Sequence, residues 1–324
     1  MKIIFLGTPE FAVPVLKRLI ESKHEVVAVV TNLDKPVGRS DKLVPSPVKK
    51  VALENNIPVY QYKKIRIEGV EDLKNIGADI MITCAFGQIL SRENLDATPM
   101  GTFNVHGSLL PKYRGASPIQ WSIINGETET GITILKSDVG IDDGQVIHQV
   151  KTDIKENETA EELFVRLSNI GADAIIEALD MLENNTAKFV TQNESDATIC
   201  KMFKKEMGSL DFSASAKDVK NLINGLNMWP VAYTSINGNY YKFYKASVVS
   251  NKEVQRFGFD LNNYKNGEIV YSKSKFGLVI KCCDGFIKID EIQIENGKRM
   301  EIKNFLNGKQ IAVGSVCERV EAYE

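Results

Sequence analysis

The sequence predicts an α/β protein, a Rossmann-like doubly wound and mostly parallel sheet followed by a C-terminal OB-like β-barrel. Three observations predict it. Apolar strand-like runs alternate with helical periodicity through the first half of the chain. β-Branched and aromatic runs separated by Asn-Gly and Asp-Gly turns fill the last third. At 324 residues the chain exceeds what one hydrophobic core usually organises, and two domains, 1–207 and 208–324, are expected, with a linker near 190–207.

The elements follow in order. Lys2 to Gly7 reads as a short apolar strand. Thr8 suits an N-cap and Pro9 the first helical position, with Phe11, Val15, Leu16 and Leu19 recurring on one face. Strand Val26 to Thr31, helix Val48 to Asn55, strand Val59 to Gln61, a helix around Val70 to Ile76 and strand Ile80 to Ala85 continue the alternation. Such alternation is the signature of a parallel sheet covered by helices. Strands around Thr102 to Val105, Thr130 to Leu135 and Val146 to Gln149 come next. Ala160 to Leu182 then reads as a long amphipathic helix with Leu163, Leu167, Ile170, Ala174 and Leu182 inward. The charged stretch Lys201 to Glu206 marks a boundary region, and beyond Val219 to Leu226 the composition turns towards β. Five short strands follow, at Ala232 to Ile236, Tyr240 to Ser250, Gly267 to Tyr271, Leu278 to Cys283 and Phe286 to Gln293. Five strands in this space suit a small closed barrel.

Composition excludes several classes. Apolar content is 43% and charged content 25%, and the longest apolar runs fall far short of the ~20 residues of a membrane helix. The N-terminal run leads into a helix signal without a small-residue cleavage site, so it reads as a first strand and not a signal peptide. Cys84, Cys200, Cys282, Cys283 and Cys317 form no C-x-x-C pair. Neither a zinc site nor a disulfide framework is expected, and the chain reads as a cytoplasmic protein. Cys84 has no basic neighbour to lower its pKa and reads as a small core residue. The net charge of −2 conceals an asymmetry. Residues 1–207 hold 24 basic against 29 acidic side chains, and residues 208–324 hold 16 against 13. The C-terminal excess is modest as a sign of nucleic-acid binding.

The run Asn104-Val105-His106-Gly107-Ser108-Leu109-Leu110-Pro111, answered by Asp138-Val139-Gly140-Ile141-Asp142, carries the chemistry. Alternate residues of a strand share a face, so the Asn104 amide and the His106 imidazole project together while Val105 turns inward. An amide and an imidazole can serve one carbonyl. Only three histidines are present, and His24 and His148 are expected at the surface. Asp142 sits where a turn residue alone would also fit, with Asp143 beside it. Ser108 lacks the G-x-S-x-G elbow of a nucleophile and more simply shapes its loop. A dinucleotide is a poor fit. The first turn, Gly7-Thr8-Pro9-Glu10, has one Gly where the fingerprint needs three, and Glu10 places negative charge where phosphate would sit.

This signature resembles that of the folate-dependent formyltransferases, and within them most closely the branch whose acceptor is initiator methionyl-tRNA. The likeness extends from Ile3-Ile4-Phe5-Leu6-Gly7-Thr8-Pro9 through Pro45-Ser46-Pro47 to Asn227-Met228-Trp229-Pro230, nearly the whole chain. The resemblance implies catalysis by Asn104, His106 and Asp142, without a metal. Asn104 donates to the formyl oxygen, His106 stabilises the oxyanion or protonates N10, and Asp142 supports His106 and relays a proton. It implies 10-formyltetrahydrofolate as donor cosubstrate. The donor's pocket would comprise Phe86, Gly87, Gln88, Ile89 and Leu90, then Ser108, Leu109, Leu110 and Pro111, and finally Asp138, Val139, Gly140 and Ile141. It implies tRNA contacts from the basic connection between Asn32 and Lys50, with Lys35, Arg39 and Lys42, although Ser40-Asp41 is less basic than the family pattern. A monomer that binds folate and tRNA, with no membrane partner, is expected.

Three alternatives remain. An aminosugar formyltransferase shares the Leu-Leu-Pro-Lys-Tyr-Arg-Gly run and a barrel-like second domain. A glycinamide ribonucleotide formyltransferase is shorter and lacks that domain. A non-catalytic RNA-binding protein with a decayed enzyme domain is opposed by the intact set of Asn104, His106 and Asp142.

Overall fold

The computed structural model describes residues 1–36 and 43–320, which form two compact units. The first comprises Met1–Pro118, Glu129–Asp153 and Phe164–Cys200; the second comprises Ile119–Thr128, Ile154–Leu163 and the chain from Lys201 onward. Among the described residues no helix is long and apolar enough to cross a membrane.

The first unit is built on a seven-stranded sheet. Its elements are β1 (Lys2–Gly7), α1 (Ala12–Ile20), β2 (Glu25–Thr31), α2 (Pro47–Glu54), β3 (Val59–Gln61), α3 (Val70–Asn75), β4 (Ile80–Cys84), β5 (Thr102–His106), β6 (Glu129–Lys136) and β7 (Val146–Asp153). A long helix, α4 (Ala160–Glu183), follows. The spatial order is β7-β6-β5-β4-β1-β2-β3. The β3-β2-β1-β4-β5 portion is parallel, and β6 and β7 add to it antiparallel. The order reverses between β1 and β4, and in such sheets ligands bind beyond the carboxyl ends of the strands near that reversal.

The core explains the pattern. Ile3, Ile4, Phe5 and Leu6 of β1 and Ile80, Met81 and Ile82 of β4 are wholly buried, as strands covered on both faces must be. On one side Ile4, Leu6, Val30 and Met81 pack with Tyr62, Ile65, Leu73 and Phe86. Val15, Leu16 and Leu19 of α1, and Phe11 just before it, are buried as expected. Its start differs from the expectation. It begins at Ala12 behind Phe11, with no side-chain cap. The Thr8 hydroxyl instead donates to Phe86 O at 3.1 Å and accepts from Asn32 Nδ2 at 3.1 Å. A long-range bond thus outcompetes the local cap. In α4, Leu163, Leu167 and Ala174 are buried as expected, Ile170 and Leu182 are half-buried, and Ile175, Ala178 and Leu179 complete the inward face. Gly171 of this helix lies against β5, where an added Cβ would come within 3.0 Å of Val105.

The second unit holds a curled antiparallel half-barrel. After α5 (Ala216–Gly225) come β8 (Ala232–Ile236), β9 (Asn239–Val248), α6 (Asn251–Phe257), β10 (Ile269–Lys273), β11 (Gly277–Lys281), β12 (Phe286–Ile294), α7 (Ile302–Gly308) and β13 (Cys317–Glu318). The order is β10-β11-β12-β9-β8-β13, with Met300–Glu301 pairing on β12. The two edges meet briefly: Ile269 N donates to Ser315 O and Cys317 N to Gly267 O, each at 2.8 Å. Phe243, Ile269, Leu278, Ile280, Ile287 and Ile289 fill the interior. The second of the five expected strands stops at Val248, short of Ser250. That serine caps α6, accepting from Glu253 N while the Glu253 carboxylate takes the Ser250 N–H and hydroxyl.

Candidate active site

Strand β5 positions two of the three candidate catalytic residues by alternation. Val105 is 3% exposed and faces α4; Asn104 and His106 share the other face. Asp142 reaches them from the loop between β6 and β7. Asn104 Nδ2 donates to Asp142 Oδ1 at 3.2 Å, and His106 Nδ1 lies 3.6 Å from Asp142 Oδ2. Sequence spacing does not divide Asp142 from Asp143; the structure turns the Asp142 carboxylate to this cluster, and the Asp143 carboxylate folds back against Gly140.

Each group is held by neighbours that fix its chemistry. The Thr83 hydroxyl, on β4, donates to Asn104 Oδ1 at 2.9 Å. This bond turns the amide nitrogen of Asn104 towards Asp142. The other side of His106 is Nε2, 2.9 Å from Tyr113 O. A carbonyl only accepts, so Nε2 carries a proton and Nδ1 of the neutral ring is a lone pair facing Asp142. Gly115 N donates to Asp142 Oδ2 at 2.8 Å. Asp142 adopts a left-handed backbone, φ 51°, uncommon outside Gly and Asn. Tyr113 and Gly115 lie in the Leu-Leu-Pro-Lys-Tyr-Arg-Gly run, which by itself assigns them no role, and nothing local marks Thr83; these roles come from strand pairing and loop closure.

The loop after β5 is pinned to β6 and β7. Ser108 is fully buried and its hydroxyl donates to Lys112 O at 2.7 Å, a loop-shaping bond. Thr133 donates to Ser108 O at 2.6 Å and accepts from Leu110 N at 3.1 Å. Leu110 is buried, while Leu109 and Pro111 are half-buried. In the segment Phe86 to Leu90, Phe86 is core and Gly87 has φ +81°. Gln88 Nε2 donates to Asn32 Oδ1 at 2.8 Å and Tyr62 O at 3.0 Å. Ile89 stands 73% exposed and Leu90 leans on the core. Arg92 pairs with Asp138, which ties this segment to the loop of Val139, Gly140 and Ile141. The Val139 backbone N–H and then Arg92 hold the Asp138 carboxyl below its ordinary range.

The remaining candidates lie elsewhere. Lys35 is exposed in the short strand Lys35–Pro36. Arg39 and Lys42 lie outside the described residues. Lys49, from the same basic stretch, is bound to Asp34 at 2.7 Å and to Gln61 at 2.8 Å. Contrary to expectation, His24 is 6% exposed, with Nδ1 3.3 Å from the Met1 ammonium. Burial, first, and the terminal ammonium lower its pKa. His148 is also largely covered, against the expected surface position, and pairs with Glu177. Cys84 is wholly buried, and that burial raises its pKa.

Comparison with known proteins places this geometry. The formyl transferase family model matches residues 1–179, and the model of the formyl transferase C-terminal domain matches residues 202–310. The methionyl-tRNA formyltransferase of Clostridioides difficile (strain 630) is 42% identical over 317 residues, covering 98% of this chain and 99% of its own. That of Ruminiclostridium cellulolyticum is 43% identical over 315 residues, covering 97% and 98%. The chain belongs to the methionyl-tRNA formyltransferase family. Among solved structures, a sugar 3N-formyl transferase crystallised with dTDP and 5-N-formyl-THF shares the fold with a TM-score of 0.67 and 24% identity, over 92% of this chain and 99% of that one. An N-formyltransferase from Helicobacter canadensis does so with a TM-score of 0.65 and 22% identity, over 91% and 100%. The span matched by the formyl transferase model contains the strand and loop that bring Asn104, His106 and Asp142 together.

Proposed function

We propose that the chain transfers the formyl group of 10-formyltetrahydrofolate to the free amino group of methionine on initiator methionyl-tRNA, giving N-formylmethionyl-tRNA and tetrahydrofolate. The convergence of Asn104, His106 and Asp142, in a chain 42% identical to a methionyl-tRNA formyltransferase over 98% of its length, carries this reading.

The chemistry follows from the geometry. The amine lone pair attacks the formyl carbon, and the carbonyl π electrons move to oxygen. The Asn104 amide, oriented by Thr83, donates to that oxyanion, a role in which one donor is typically worth about 3–4 kcal/mol. The proton leaving the amine passes the more exposed Asp142 carboxylate to reach the Nδ1 lone pair of His106. The imidazolium so formed lies against Asp142. It returns the proton to N10 as the C–N10 bond breaks, and the starting tautomer, with Nε2–H on Tyr113 O, is restored.

The donor fits the loops beside this centre. Ile89, Val139 and Ile141 are 73%, 59% and 66% exposed, on segments joined by the Arg92–Asp138 pair. Large apolar side chains held out on linked loops suit a flat ring. In this reading Phe86 to Leu90 and Asp138 to Ile141 hold the pterin, and Ser108 to Pro111 line the approach to the aminobenzoyl part. Lys35, Arg39 and Lys42 contact the acceptor end of the tRNA. Residues 1–207 form the catalytic domain. Residues 208–324 form an OB-like barrel for the tRNA body, as the curled sheet and its meeting edges support. The protein acts as a cytoplasmic monomer.

The test is formyl incorporation into charged initiator tRNA, with charged elongator methionine tRNA and a UDP-aminosugar as competing acceptors. Preferential formylation of the initiator is expected. Transfer to the sugar alone overturns the tRNA reading.

A further inference from the structure

Residues 180–201 fall between the two spans matched by family models, and the sequence reads much of this stretch as a linker. Its contacts are those of a clamp. Val190 exchanges backbone hydrogen bonds with Val146, at 2.9 and 2.8 Å. Gln192, 8% exposed, donates from Nε2 to Asp142 O at 2.7 Å and to Gly144 O at 2.8 Å. Its Oε1 accepts from Arg114 Nε at 3.1 Å. The guanidinium of Arg114, itself buried, closes on Glu194 with bonds of 3.0 and 2.7 Å. Thr198 takes the Tyr113 N–H on its hydroxyl and the Arg114 N–H on its carbonyl, each at 2.8 Å. Ile199–Cys200 then pairs in parallel with Arg114–Gly115.

One short segment therefore holds both walls of the site. The Tyr113 carbonyl fixes the His106 tautomer, and the Gly115 N–H and Asn104 amide receive the Asp142 carboxylate. Asp142 can present that carboxylate only while its backbone stays left-handed, and the two carbonyls gripped by Gln192 flank that turn. A primary amide matches these partners, with two N–H donors for two carbonyls and one oxygen for Arg114. Glutamate keeps the acceptor and loses both donors; methionine keeps the volume and loses all three bonds.

We infer that Gln192 is a positioning residue for formyl transfer, acting through Asp142 by holding the Asp142-to-Gly144 backbone, with Arg114 and Glu194 bracing it from behind. This rests on the function proposed above. Gln192 touches no reacting group and two of its three bonds grip the Asp142 loop, so its effect on the rate is expected to run through Asp142 and to shrink once Asp142 is replaced.

The experiment compares single-turnover formylation by wild type, Gln192→Met, Gln192→Glu, Asp142→Asn and the double variant Gln192→Met/Asp142→Asn, with hydrogen–deuterium exchange over residues 138–145. Both single Gln192 variants are expected to slow transfer by about 10- to 100-fold, with donor KM within about twofold of wild type. In the Asp142→Asn background the Gln192→Met change is expected to alter the rate less than about twofold. Exchange in the loop is expected to rise about tenfold or more in Gln192→Met. Multiplicative losses in the double variant, a wild-type rate in Gln192→Met, or an activity retained by Gln192→Glu overturns the inference. So does failure of both Gln192 variants to fold, which makes the residue structural. An inactive wild type instead counts against the proposed function, and the exchange measurement still decides the role of Gln192 in the loop.

Discussion

Asp142→Asn is nearly isosteric, yet no orientation of the new amide satisfies the site. The carboxylate accepts from Gly115 N at 2.8 Å through one oxygen and from Asn104 Nδ2 at 3.2 Å through the other. Asparagine replaces one oxygen by an NH2, which then faces either the Gly115 N–H or the Asn104 amide, donor against donor. One charge-assisted hydrogen bond is lost either way, about 1.5–3 kcal/mol, or roughly 10- to 150-fold in rate. The negative charge 3.6 Å from His106 Nδ1 is lost as well, and an imidazolium formed in the reaction loses its counterion. Together these predict a fall of ~100- to 1,000-fold in the single-turnover rate. The assay follows labelled formyl into charged initiator tRNA at saturating enzyme, with circular dichroism and thermal unfolding to show that the variant folds. A well-folded Asp142→Asn enzyme within threefold of wild type would show that the Asp142 carboxylate is dispensable to transfer.

Further predictions concern the supports. Thr83→Val removes the hydroxyl that orients Asn104 and is expected to slow transfer by ~2- to 12-fold at unchanged donor KM, the rate equivalent of one neutral hydrogen bond; an unchanged rate shows that Asn104 needs no such support. Gly144→Ala places a Cβ 1.8 Å from Lys136 O, so the Asp142 loop must shift, with an expected loss of about 1–3 kcal/mol in stability by urea unfolding and a large loss of activity. Burial, against the opposing pull of Lys288 and Ser247, raises the Asp290 carboxyl above its ordinary range. A raised folded pKa adds stability below the unfolded value and loses it as pH rises through the folded one, so Asp290→Asn is expected to raise the urea midpoint at pH 7 but not at pH 3. With a C-terminal surplus of only three positive charges, two or three phosphate contacts are expected, and tRNA affinity falls by roughly 10- to 40-fold between 50 and 200 mM salt while folate affinity changes far less. Arg39→Ala is expected to weaken tRNA binding alone.

The residues of the site were legible wherever the chemistry is local. Alternation along Thr102 to His106 placed Asn104 and His106 on one face and Val105 in the core, and the structure keeps that arrangement. The apolar face of α1 was equally readable. Its first turn was not, because the Thr8 hydroxyl bonds to Phe86 and Asn32, residues distant in sequence. Ser250-x-x-Glu253 carries a capping box in plain sight, but the surrounding strand pattern masked it. His24 read as a surface residue from its polar neighbours, and only the fold over it buries the ring. The supports of the site were the least legible. Thr83, Gly115, Arg114 and Gln192 act through contacts that join segments tens of residues apart, and no local pattern distinguishes a glutamine in a polar stretch from one clasping the Asp142 loop.

In the proposed function Asn104, His106 and Asp142 form one formyl-transfer centre acting on initiator methionyl-tRNA. The most direct test measures the rate of labelled formyl transfer from 10-formyltetrahydrofolate to charged initiator tRNA by wild type and by Asn104→Ala, each shown to be folded. Robust formylation by wild type and a ~100- to 1,000-fold lower rate for Asn104→Ala is the predicted result. Near-wild-type turnover by folded Asn104→Ala, or a folded wild type that leaves the initiator unformylated, contradicts it.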